Sequence, residues 1–100
     1  MLDIKTVQNG GEVTLVLAGR IDGITASSLE VAAQHVPSGI SVLRFDLTGV
    51  DYLSSAGLRL LLTLQKRFKK EGGSFKLRGI QPGVAEILRM TGFLKILSVE

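Results

Sequence analysis

Phe45-Asp46-Leu47-Thr48-Gly49-Val50-Asp51-Tyr52-Leu53-Ser54-Ser55-Ala56-Gly57-Leu58 is the stretch whose reading decides the fold. It is entered from Val42-Leu43-Arg44, and the run Val42–Leu47 carries apolar residues on both faces. That is the signature of a central strand covered on both sides. From Leu58 onward the period changes: Leu58, Leu61, Leu62 and Phe68 fall on one face of a helix, with Arg59, Lys66, Lys69 and Lys70 mostly elsewhere. Gly72-Gly73 supplies a left-handed stop for that helix. A buried strand that hands over to an amphipathic helix is the unit from which α/β domains are built. Partner and ligand sites in open α/β sheets lie at the carboxyl ends of strands. The turn Ser54-Ser55-Ala56-Gly57 therefore stands where such a site is expected.

Working outward, the chain opens with two alternating apolar stretches, Ile4–Val7 and Val13–Leu17, separated by the hairpin turn Asn9-Gly10-Gly11. Leu29, Ala32, Ala33 and Val36 then recur at helical spacing. Ser27 with Glu30 suits a capping box, and Thr25 is the alternative cap. Pro37-Ser38-Gly39 ends this helix. Beyond the central strand and helix, Phe75-Lys76-Leu77 alternates as a strand. Pro82 then opens a third helix, with Val84, Ile87 and Leu88 facing inward. Gly92 closes that helix with Phe93 folding back on it, and Ile96–Val99 reads as a last short strand. The predicted order is ββαβαβαβ: a mixed, partly parallel sheet with an N-terminal hairpin and three or more helices, joined by right-handed crossovers.

One hundred residues, 45% of them hydrophobic and 21% charged, suit one globular domain spanning residues 1–100. The absence of cysteine excludes disulfide frameworks, thiolate nucleophiles and thiolate metal sites. No signal-peptide organisation and no run of ~20 apolar residues appears, so a cytoplasmic location is expected and no membrane partner. The net charge of +3 is modest, and much of the positive charge gathers at Lys66, Arg67, Lys69 and Lys70, close to a helix end whose dipole it complements. Direct nucleic-acid binding is accordingly not expected.

The two serines have an ordinary role and a functional one. Either Ser54 or Ser55 suits the N-cap of the long helix, its oxygen accepting from a free backbone N–H. The same geometry favours a negative group, so a phosphate on Ser55 would be tolerated without melting the helix. It would act by adding roughly −1.5 to −2 of charge to whatever contact forms there. Catalysis by this serine is not expected: the Gly-x-Ser-x-Gly elbow is absent, and the single histidine, His35, lies on the first helix as a partly exposed residue. A metal centre would need carboxylates alone, and Asp46 and Asp51 read as turn and strand-end residues. The paired glycines lack the following Lys-Ser/Thr or Gly-x-Gly-x-x-Gly spacing of nucleotide loops. No catalytic residue, cofactor or metal is predicted.

With these residues in view, the sequence resembles the STAS domain, and within it the bacterial anti-sigma factor antagonists (anti-anti-sigma factors). The resemblance rests on Leu17-Ala18-Gly19-Arg20-Ile21-Asp22 leading into Thr25-Ala26, on Phe45-Asp46-Leu47 followed by Val50-Asp51-Tyr52-Leu53, on Ser54-Ser55-Ala56-Gly57-Leu58, and on Thr91-Gly92-Phe93. Aligned on Gly57-Leu58, the family's phosphorylated serine falls on Ser55. Ser54 occupies a position that is Asp in the sporulation members, and Ala56 one that is Ser or Thr there. The resemblance implies a partner switch. The unmodified protein would bind an anti-sigma factor that is also a GHKL-type serine kinase, phosphorylation of Ser55 would release it, and a PP2C-type phosphatase would reset the system. Partner contacts are expected at Asp22, Thr25, Ser54, Ser55, Ala56 and Gly57, with Asp22 equally open to a role as helix cap or turn residue. The family also holds sensory or scaffolding STAS domains that are not phosphorylated, some proposed to bind nucleotides, and these supply the alternative reading.

Overall fold

The computed structural model describes residues 2–37 and 39–100. β1 (Leu2–Asn9) and β2 (Glu12–Ile21) pair antiparallel, closing with Asn9 opposite Glu12. Gly10 takes the φ of +58° that this two-residue turn requires. There follow α1 (Gly23–Gln34), β3 (Val42–Leu53), α2 (Ser55–Lys70), β4 (Ser74–Arg78), α3 (Pro82–Met90), a 3-10 turn (Phe93–Lys95) and β5 (Ser98–Val99). The described residues thus have the expected order ββαβαβαβ. α1 ends before Pro37 as anticipated, while Ser38 of the predicted stop lies outside the described residues. Among the described residues no helix is long and apolar enough to cross a membrane.

The sheet order is β1-β2-β3-β4-β5, antiparallel at the hairpin and parallel thereafter. Because β3, β4 and β5 are each added on the same side of the strand before, right-handed crossovers carry α1, α2 and α3 over one and the same face. Leu43, Phe45 and Leu47 of β3 are buried on that face. Phe45 meets Phe75 of β4 edge-to-face at 4.9 Å. Leu58, Leu61, Leu64 and Phe68 of α2 and Val84 and Leu88 of α3 close over them. Leu62, expected to point inward, is only half-buried, and Leu60 and Leu64 take the core positions.

The opposite face corrects the expectation of a central strand covered on both sides. There β3 presents Arg44 and Asp46. The Arg44 guanidinium pairs with Glu12 at 3.1 Å and with Glu100 at 2.5 Å, and donates to the Thr14 hydroxyl at 3.3 Å. Unidirectional strand addition leaves no crossover helix for this face, so it is clothed in charge instead of apolar packing.

β3 also runs six residues beyond the predicted strand. Between Val16 and Arg20 of β2 the pairing slips twice, so that Val16 faces Asp46 but Arg20 faces Tyr52. The two extra residues are bulges, and they change the burial period: after Leu47 the buried positions are Val50 and Leu53. Asp46 and Asp51, expected at a turn and a strand end, therefore both lie within the strand. The Asp46 carboxylate holds the first irregularity, accepting from the Thr48 N–H at 3.0 Å and the Thr48 hydroxyl at 2.6 Å while pairing with Arg78 at 3.1 Å. The Thr48 hydroxyl, then the backbone bond and Arg78, hold this carboxyl below its usual range. β5 is shorter than predicted: the Ile96 N–H is drawn into the 3-10 turn, donating to the Phe93 carbonyl at 3.0 Å.

Candidate functional site

Strands β2 and β3 end side by side, with Ile21 opposite Leu53, and each delivers the next helix at once. The Ser54 N–H donates to the Ile21 carbonyl at 2.8 Å, stitching the two exits together. The N-termini of α1 and α2 consequently stand next to one another at the carboxyl end of the sheet.

At the first of them Asp22 is the N-cap. Its Oδ1 accepts from the Ile24 N–H at 3.0 Å and the Thr25 N–H at 2.9 Å. Thr25 answers as the reciprocal partner, its Oγ1 accepting from the Asp22 N–H at 2.8 Å and donating to the Arg20 carbonyl at 2.7 Å. The box is thus Asp22 with Thr25: the reading of Asp22 as a helix cap holds, while Ser27 with Glu30 and Thr25 as the cap itself are displaced. The helix begins two turns earlier than its apolar periodicity because Gly23 and Ile24 carry no inward-facing signal. The backbone bond from Thr25, followed by its side chain, lowers the Asp22 pKa, so Asp22 is a fixed negative charge there.

The second N-terminus divides the work between its serines. Ser54 is the N-cap, its Oγ accepting from the Gly57 N–H at 3.2 Å. Ser55 is the first helical residue and is exposed. No acidic residue stands in the first turn of α2, so the positive end of its dipole is uncompensated beside the Ser55 hydroxyl. Ala56 is half-buried, and Gly57 is buried against the strand exits. A Cβ at Gly57 would lie 2.6 Å from Leu53 Cδ1 and 2.7 Å from Ile21 Cγ2. Gly57 is what lets α2 approach the sheet this closely.

Of the predicted contact residues, the structure brings Asp22, Ser54, Ser55 and Ala56 to one end of the molecule with solvent access. Thr25 and Gly57 lie beneath them as buried supports. Residues that the sequence reading did not single out join this end. The Arg20 guanidinium stacks on the Tyr52 ring at 4.1 Å to the centroid, the two residues being register partners on β2 and β3. A groove of about 240 Å³ runs between α1 and α2, floored by Gly23, Ala26 and Ala56 and flanked by Glu30 and Arg59. The signal for both was the pairing of the two strand exits, which a one-dimensional pattern does not carry. His35, by contrast, sits at the far end of α1, roughly 18 Å along a helix of twelve residues. Its Nδ1 lies 2.8 Å from the Val31 carbonyl, well away from Ser55.

A mixed five-stranded sheet with its helices on one face and two capped helix N-termini side by side, one opened by a free serine, defines a particular class of α/β domain. The chain belongs to the STAS domain family, whose model, described as "Mlab, STAS domain", matches residues 4–98. Among characterised relatives it is 28% identical over 98 residues to the anti-sigma-B factor antagonist of Bacillus subtilis, covering 98% of this chain and 90% of that one. Among solved structures it is similar to an anti-sigma factor antagonist from Mycobacterium paratuberculosis, at a TM-score of 0.86 and 27% identity, covering 99% of this chain and 85% of the other. The anti-sigma factor antagonist SpoIIAA shares the fold at 13% identity. Its unphosphorylated form superposes with a TM-score of 0.80 over 98% of this chain and 88% of its own. Its phosphorylated form, from Bacillus, gives 0.74 over 98% and 91%.

Proposed function

We propose that this chain is an anti-sigma factor antagonist of the cytoplasm that works by a partner switch centred on Ser55. In its unmodified state the end of the domain bearing Asp22, Ser54, Ser55 and Ala56 docks on an anti-sigma factor of the GHKL serine-kinase fold, with Thr25 and Gly57 setting the surface from below. The kinase transfers the γ-phosphoryl group of its ATP to the Ser55 oxygen; ADP leaves, and the hydroxyl proton passes to a base on the kinase. This chain supplies the acceptor and no catalytic group. The phosphate adds roughly −1.5 to −2 of charge at the contact and expels the partner. A PP2C-type phosphatase then hydrolyses the ester and restores the binding form.

The observation that supports this reading best is the division of labour at α2. Ser54 already caps the helix, which leaves the neighbouring hydroxyl exposed with no structural duty. A phosphate there meets the uncompensated positive end of a sixteen-residue helix, so modification disturbs a contact and not the fold.

Intact-mass analysis after incubation with the cognate kinase and ATP tests it. The parent and Ser54→Ala should each gain one phosphoryl group, Ser55→Ala should gain none, and Ser55→Ala should still bind the kinase. Modification that persists in Ser55→Ala would sink the assignment. Capture of partners that include no GHKL-type kinase would favour a scaffolding STAS domain that is not phosphorylated.

A further inference from the structure

Among the described residues the long outer edge of β1 is unpaired, since β2 is the neighbour of β1 in the sheet and lies on its other side. We propose that this edge is the seam of a two-fold dimer, in which a second copy of the chain pairs antiparallel with β1 about Ile4 and the two sheets become one.

The register follows from the hairpin. A two-residue turn closes on a hydrogen-bonded pair, here Asn9 with Glu12, and hydrogen-bonded pairs then alternate along the ladder. Asn9, Val7, Lys5 and Asp3 therefore turn their backbone groups toward β2. Gln8, Thr6, Ile4 and Leu2 turn theirs outward, where a new strand would bond. Side chains sort the other way across the sheet. Leu2 and Ile4 are packed against the core on the helix-bearing face, while Asp3, Lys5 and Val7 are exposed on the open face.

Two-fold symmetry permits only a few registers. An axis through Lys5 sets that ammonium directly opposite its own copy, which is repulsive. An axis through Thr6 sets Lys5 opposite Val7 and Asp3 opposite Asn9, leaving both charges without counter-charges. An axis through Ile4 sets Asp3 opposite Lys5 of the second copy, twice, in a non-hydrogen-bonded pair where side chains approach most closely. It also lays Ile4 on its own copy and Leu2 on Thr6, with every outward backbone group from Leu2 to Thr6 engaged. A charged residue on an edge ordinarily forbids pairing. Opposite charges two residues apart forbid some registers and favour this one.

The helix layer fits the same axis independently. α1 packs on both β1 and β2. If it lies midway over that pair, strands spaced ~4.8 Å apart place its axis roughly 5 Å from the two-fold, and two α1 helices roughly 10 Å apart. That is the separation at which helices pack. The flank of α1 on this side carries Ile24, Ser28 and, one turn on, Ala32. Ile24 is 82% exposed, the most exposed large apolar side chain among the described residues. Beside it, between α1 and the start of β1, lies an apolar-sided hollow of about 380 Å³ lined by Leu2, Ile24 and Ser28 together with Asp22 and Thr25. With the axis level with Leu17, and α1 running back from Arg20 at ~1.5 Å per residue, the two α1 helices meet near Ala32, whose small side chain permits the approach, and Ile24 with this hollow stays outside the seam.

Sedimentation equilibrium on the full chain across a concentration series, with charge-exchange variants of β1, tests this. The parent should show a reversible monomer–dimer equilibrium. Asp3→Lys alone and Lys5→Asp alone each convert two attractive pairs into two repulsive ones. Each should raise the dimer dissociation constant by about tenfold or more. Both substitutions together should restore the dimer, a recovery that non-specific association would not show. Asp3 and Lys5 are exposed on the open face, so all three variants should keep the parent's circular dichroism spectrum. A parent that stays monomeric, or a dimer indifferent to either single reversal, or a double variant as weak as the singles, would overturn the proposal.

Discussion

Replacing Gly57 by alanine tests the close approach on which the site is built. By helix propensity alone the change should stabilise α2, by up to about 1 kcal/mol. Packing predicts the opposite. The new methyl carbon would stand 2.6 Å from Leu53 Cδ1 and 2.7 Å from Ile21 Cγ2, roughly 1 Å inside ordinary carbon contact on two sides. Neither neighbour has room to yield: Ile21 and Leu53 are both buried, and Cγ2 branches directly from the Ile21 Cβ. Overpacking of this kind costs about 1–3 kcal/mol, so subtracting a helical gain of up to about 1 kcal/mol leaves a net loss centred on about 1 kcal/mol and reaching about 2. For a domain of this size the central value lowers the melting temperature by roughly 4–8 °C. The control is Gly83→Ala in the first turn of α3, where an added Cβ meets nothing within 4 Å and φ is not positive. It should hold or raise the melting temperature. Thermal and urea unfolding of the pair decide the matter. Equal shifts in the two variants, or a Gly57→Ala protein as stable as its parent, would refute the packing argument.

Ser54→Ala removes the cap on Gly57 and should cost about 1 kcal/mol in urea unfolding, whereas Ser55→Ala, which removes no such bond, should cost little. Ser55→Asp should pull the two readouts apart: the new charge at the head of α2 raises stability by about 0.3–1 kcal/mol while partner affinity, measured by calorimetric titration, falls. Asp22, Asp46 and Glu100 all have pKa values depressed in the folded state, by Thr25, Thr48 and Arg44 respectively. Their stabilising effect is fully present above the ordinary carboxylate range near pH ~4 and is lost as pH falls through the lower folded values. The urea midpoint should therefore drop below about pH 4, and Asp46→Asn should flatten that acid slope.

The elements legible in sequence were those whose burial follows one period. α2 and α3 show their apolar faces openly, and Gly10, Gly72 and Gly92 mark ends that need a positive φ. The second half of β3 was not legible, because its two bulges shift burial from every second residue to Val50 and Leu53, a spacing that matches neither strand nor helix. The start of α1 was missed for a related reason: Gly23 and Ile24 are helical but face outward, and the buried Thr25 and Ala26 are small, so the apolar period is plain only from Leu29. The open face of β3 was misread because Val42 stands there with Arg44 and Asp46 and lends the strand an apolar look. The strand order that denies that face its helices is a long-range property. At the site the serine turn was plain in one dimension, but the adjacency of Asp22, Arg20 and Tyr52 to it depends on pairing between β2 and β3.

The placement of Ser55 has a consequence for how a modification there can act. The Ser54 oxygen already caps the helix by accepting from the Gly57 N–H, so a phosphate there would remodel the cap itself. The next residue along keeps all of the electrostatic advantage, because the dipole field is strongest over the first turn, and none of the structural duty. Moving the acceptor by one position thus separates recognition from stability. The buried Gly57 lets α2 seat closely on Ile21 and Leu53, which holds the start of the helix against the strand exits. Asp22, fixed by Thr25 at the head of α1, places a negative charge on the same end of the domain. Under the proposed switch, a partner suited to the unmodified surface accommodates one anion there and refuses a second, the phosphate on Ser55.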